Sequence, residues 1–91
     1  MTTNQKKLIR EILDIALDDT VNHIHVDYSG HVDAVLIAVY VGGWNHGAKP
    51  DNHAMIYGIP DEWKGAHVED HNVRVYNELA KMLAYLKQLT K

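Results

Sequence analysis

The chain of 91 residues predicts a small α+β domain of order α-β-β-β-α: a three-stranded antiparallel meander with two helices packed on one of its faces. Three observations predict it. Both ends of the chain carry apolar residues at helical spacing. The middle carries short runs rich in β-branched residues, separated by glycine- and proline-bearing turns. The run from Val32 to Val41 is apolar on both of its alternating faces, which marks a central strand covered on both sides.

The elements follow in order. Asn4 to Asp18 reads as a helix with Leu8, Ile9, Ile12, Leu13 and Ala16 on one face, and Asn4 is placed to cap its start. Asp18 and Asp19 put negative charge at the negative end of the helix dipole, a mild local cost that reads as a solvated stop. The stretch Val21 to Val41 then reads as two strands joined at Tyr28-Ser29-Gly30-His31, with Gly30 supplying the conformational freedom of the turn. The first strand is half-buried. Ile24, Val26 and Tyr28 share one face, and His23, His25 and Asp27 share the other.

The second strand places Val32, Ala34, Leu36, Ala38 and Tyr40 on one face and Asp33, Val35, Ile37, Val39 and Val41 on the opposite one, so that beyond Asp33 both faces are apolar. A glycine-rich loop follows over residues 42–52, longer than hairpins usually need. His53 to Ile59 reads as a third strand, ended by Pro60, and Pro60 to Trp63 as one helical turn. Asp70 to Leu89 reads as the closing helix, with a stripe of Val73, Tyr76, Leu79, Ala80, Leu83 and Leu86. A short strand at residues 73–76 is the competing reading there.

Length and composition bound the function. One domain, residues 1–91, is expected. A chain this short buries a small core, so self-association is a realistic supplement. No cysteine is present, which excludes disulfides, thiolate zinc sites and cysteine catalysis. No apolar run is long enough for a membrane span, and a cytoplasmic, soluble protein is expected. The net charge of −3 and the lack of a basic patch argue against nucleic acid. Double-stranded-RNA-binding domains share the element order, but they need a basic start to the last helix, where this chain has Glu69 and Asp70.

Two constellations stand out. Trp44, Asn45 and His46 in the long loop, together with Trp63, form an aromatic set suited to binding a protein partner; the plainer reading is that the tryptophans plug the ends of a small core. His23 and His25 point the same way from one strand, and His53 on the neighbouring sheet offers a third imidazole, a set that suits zinc or another divalent metal; the plainer reading is a polar outer face. His67 and His71 lie one helical turn apart, yet the known metalloprotease spacing is not matched. The one serine, Ser29, lies in no nucleophile motif.

The sequence therefore points to a small non-enzymatic module acting by protein binding, with a homodimer through the sheet as one form of it. Inhibitors and accessory proteins encoded by phages and mobile elements, anti-CRISPR proteins among them, have this scale. Histidine-based metal binding is the competing expectation.

Overall fold

A computed structural model of the chain describes residues 1–45, 47–58 and 68–91. It has the expected order: α1 (Thr3–Asp18), β1 (His23–Ser29), β2 (Ala34–Tyr40), β3 (Asn52–Tyr57) and α2 (Val68–Leu89). The sheet is antiparallel with β2 in the centre. Among the described residues no helix is long and apolar enough to cross a membrane.

The helices cover one face only. Val35, Ile37 and Val39 of β2 are fully buried there, together with Ile56 of β3, Ile12 of α1, and Val75, Leu79, Met82, Leu83 and Leu86 of α2. The Cα atoms span 43 × 27 × 17 Å, and the short axis suits one helix layer on one sheet. The helices run parallel. Gln5 near the start of α1 meets Asn72 near the start of α2, while Asp18 and Leu89 at their far ends line one shared depression.

The boundaries have local causes. Thr2, rather than Asn4, caps α1. Its hydroxyl accepts from the Gln5 amide at 3.1 Å and the Gln5 side chain accepts from the Thr2 amide at 2.8 Å, a reciprocal capping box. Gln5 is also a buried polar side chain, and its Nε2 donates to the Asn72 side chain at 3.1 Å. It thus ties the cap of one helix to the start of the other. Gln5→Ala removes these bonds together with the capping box, so a loss of about 1–3 kcal/mol is expected from urea unfolding.

At the far end of α1, Asp19 is more than a solvated stop. Its carboxylate accepts from the amides of Val21 at 2.8 Å and Asn22 at 2.9 Å, and from the Asn22 side chain at 3.0 Å. Those bonds, led by the Asn22 amide, hold the Asp19 carboxyl below its usual range. The aspartate at the negative end of the dipole folds the chain back towards β1. Asn22 in turn accepts from the Gly42 amide at 2.8 Å, and Asp51 accepts from the Val41 amide at 2.8 Å. Both ends of the long loop are anchored, and positive φ falls at Gly42, Gly43 and Gly47 within it.

The β1–β2 turn differs from the expectation in one respect. The left-handed residue is Asp33 (φ 49°), not Gly30. Its side chain explains why a non-glycine residue is held there. One carboxylate oxygen accepts from the Met1 amino group at 2.6 Å and the other from the Tyr28 hydroxyl at 2.5 Å. The Asp33 carbonyl accepts from the Gly58 amide at 2.7 Å, fixing the end of β3 to the same turn. Burial pushes the Asp33 carboxyl up, but the Met1 and Tyr28 hydrogen bonds, helped by the charges of the Met1 amino group and Lys6, outweigh it and leave it lowered.

Two apolar stripes are corrected. In α2, Val73 and Tyr76 are exposed, and the buried line runs instead through Val75, Leu79, Met82 and Leu86. In α1, Leu13 is exposed while Ile15 packs at the core margin. Residues 73–76 are helical and not a strand. The proposed turn at Pro60–Trp63, and Ile59 and His67, lie outside the described residues.

Candidate functional site

The candidate site is the sheet face that the helices leave open. Strand register builds it row by row, because residues paired across antiparallel strands share a face. His23 pairs with Tyr40. His25, Ala38 and His53 form the next row. Asp27, Leu36 and Met55 form the third, and Ser29, Ala34 and Tyr57 the fourth. Among the described residues, no element packs over these rows.

Exposure along the face is uneven. Ala34 and Ala38 of β2 are buried; Ala38 lies between His25 and His53, and Ala34 between Ser29 and Tyr57. Leu36 and Tyr40 are half-buried. Met55 and Tyr57 on the β3 edge are 49% and 52% exposed. The centre of the face is therefore an apolar strip of alternating small and large side chains. It is edged by His25 and Asp27 on one side and by His53, Met55 and Tyr57 on the other. The His23 ring stacks near His25, with centroids 6.4 Å apart, and lies 5.6 Å from the Tyr40 ring.

His23, His25 and His53 do share this face, as strand alternation requires. Geometry separates them: His53 lies across β2 from His25, two strand spacings away, each close to 4.8 Å. Among the described residues no three His, Asp or Glu side chains are grouped so as to hold a metal ion. His71 is engaged elsewhere, with Nε2 3.0 Å from the Tyr57 carbonyl oxygen.

The aromatic loop set is only partly described. Trp44 and Asn45 are exposed on the long loop, next in the chain beyond the His23–Tyr40 end of the sheet. His46 and Trp63 lie outside the described residues. The residues of the open face that sequence reasoning did not single out are Leu36, Tyr40, Met55 and Tyr57. Their signal was present in the double apolar alternation of β2 and in the odd-numbered positions of β3.

What the face offers chemically is a shallow surface with apolar side chains, aromatic rings, imidazoles and one carboxylate. The Ser29 hydroxyl shares a row with Ala34 and Tyr57 and has no imidazole in that row to act as its base. No protein-family model, curated protein or solved structure matches the chain.

Proposed function

We propose that this protein is a non-enzymatic interaction module that binds a protein surface, or a second copy of itself, through the open face of its sheet. The observation that carries this reading is the central strand. Its inner side chains Val35, Ile37 and Val39 are wholly buried by the helices, while Leu36, Tyr40, Met55 and Tyr57 stand on the other face with no described element over them. Contiguous apolar surface rimmed by polar groups is the usual mark of a protein-binding patch. An inhibitor or accessory role of the kind found in phages and mobile elements is compatible with such a surface.

Affinity capture from the source cell, with mass spectrometry, tests the reading when three baits are compared. Wild type and the α1 variant Leu17→Ala, whose side chain is 73% exposed on another surface, are expected to capture the same protein. Met55→Lys is expected to weaken that capture roughly tenfold or more, because it drives an unpaired charge into the contact. Equal capture by all three baits would exclude the open face as the binding surface.

A further inference from the structure

The outer edge of β1 presents bare backbone beside an apolar crevice. We infer that an extended segment of a partner protein adds to this edge as a fourth strand, with an apolar side chain in the crevice between Tyr28 and α1 and an acidic residue beside Lys6 and Arg10. The site lies on the edge of the sheet rather than on its open face, and it stands or falls apart from that face.

The direction of the backbone groups follows from the ladders. The Asp33 carbonyl accepts the Gly58 amide, so odd-numbered residues of β2 turn their N–H and C=O groups to β3 and even-numbered ones turn theirs to β1. The Gly42 amide, which donates to the Asn22 side chain, keeps the same alternation. Even-numbered β2 residues pair with His23, His25, Asp27 and Ser29, which leaves the N–H and C=O groups of Ile24, Val26 and Tyr28 facing outward. Among the described residues none of these outward groups has a partner. β1 also lacks the guards that edges usually carry. It has no proline and no lysine, and its register with β2 runs unbroken from His23 to Ser29, without a bulge. The β3 edge is different, because the outward Tyr57 carbonyl is already engaged by His71.

Side chains decide the occupant. Residues of an added strand that pair with Ile24, Val26 and Tyr28 point to the helix side of the sheet. There a crevice of about 250 Å³ lies between Tyr28 and the flank of α1, lined by Met1, Lys6, Ile9 and Arg10. Leu13, 41% exposed, continues that flank one turn beyond Ile9. Lys6 and Arg10 are exposed, and the nearby Asp33 carboxylate is already held by the Met1 amino group and the Tyr28 hydroxyl. An apolar residue with a neighbouring carboxylate therefore matches the crevice in shape and charge.

A second copy of the chain does not fit this edge. Antiparallel self-pairing of β1 puts both helix layers on one side of the sheet, and α1 packs over β1. Two helices about 10 Å wide stand on three strands about 4.8 Å apart, so α1 overhangs the edge. Edge-paired copies would bring their α1 axes to about 5 Å, well inside the roughly 8–10 Å that packed helices need. A lone strand meets no such obstacle, and the overhang shelters it.

Panning a random display library of short linear peptides on the full chain, followed by synthesis of the enriched peptides, tests the site. These peptides are expected to alternate apolar residues and to carry an acidic one. On binding they are expected to slow hydrogen exchange at Ile24, Val26 and Tyr28, while His25 and Asp27, already paired to β2, change little. N-methylating alternate peptide amides gives two forms with the same side chains. One form is expected to lose binding roughly tenfold or more and the other to keep it, because only every second amide of an added strand faces β1. Lys6→Glu combined with Arg10→Glu is expected to weaken binding roughly tenfold, and Met55→Lys on the open face to leave it unchanged. A library without binders, binders that leave the three amides exchanging as in the free chain, equal affinity of the two N-methylated forms, or indifference to the charge reversal would overturn the inference. So would slowed exchange at those amides in the free chain at sub-millimolar concentration, which would put a second copy on the edge.

Discussion

Replacing Leu79 with alanine is expected to cost about 2–5 kcal/mol, whereas replacing Val73 with alanine six residues earlier in the same helix is expected to stay within about 0.5 kcal/mol. Leu79 is fully buried between the helices and the sheet, in contact with the cluster that holds Ile12, Ile37 and Ile56. Truncation there removes contacts on every side, and a core built from so few elements has little freedom to collapse into the gap. Val73 is 58% exposed and loses almost nothing. A domain of 91 residues has a total stability of about 5–14 kcal/mol, so the first change consumes a large share of it. Urea unfolding monitored by far-UV circular dichroism reads both values. Equal effects at the two positions would mean that α2 presents the other face to the sheet.

The second large effect is expected at Gly58. A Cβ at this position would overlap the Asp33 carboxylate and press on the Asp33 carbonyl, which already accepts the Gly58 amide. Gly58→Ala therefore forces the carboxylate away from the Met1 amino group and the Tyr28 hydroxyl, and a loss of about 1–3 kcal/mol is expected. In an Asp33→Gly background the same change is expected to cost measurably less, because the carboxylate is gone and the turn still reaches its left-handed conformation. The double-mutant cycle thus assigns the clash to a side chain. A Gly58→Ala cost that is identical in both backgrounds would place the strain in the backbone alone. The carboxylate's contribution also has a pH signature. The Asp33 carboxyl is lowered in the fold, so the stability it lends is present above the unfolded value of 3.8 and is lost as pH falls through the folded value.

What the sequence made legible followed from periodicity. Strand alternation placed His23, His25 and Asp27 together and separated Leu36 from Ile37; the register confirms both placements. The helical stripe of α2 was harder because apolar residues occupy a wide arc of it. Leu79, Leu83 and Leu86 are common to the predicted and observed faces, and only the sheet and α1 decide that Val75 and Met82, not Val73 and Tyr76, complete the line. Thr2 and Gln5 carry the spacing of a capping box, a local signal that outranks Asn4 once the second partner is considered. Asp19 and Asp33 were illegible for a different reason. Their roles depend on amides and hydroxyls brought to them by the turn itself, and no spacing announces those partners.

The parallel pairing of α1 with α2, fastened by Gln5 to Asn72 across 67 positions of sequence, imposes an order on how the molecule assembles. The two hairpins close between neighbours in the chain, but the greasy side of the resulting sheet has only α1 to shelter it until α2, which follows the strands in sequence, arrives. Contacts this distant make for a slower search than a helical bundle of the same size. Until α2 has been synthesised, Val35, Ile37, Val39 and Ile56 lack the cover of Leu79, Met82, Leu83 and Leu86, and during that interval both sides of the sheet are adhesive.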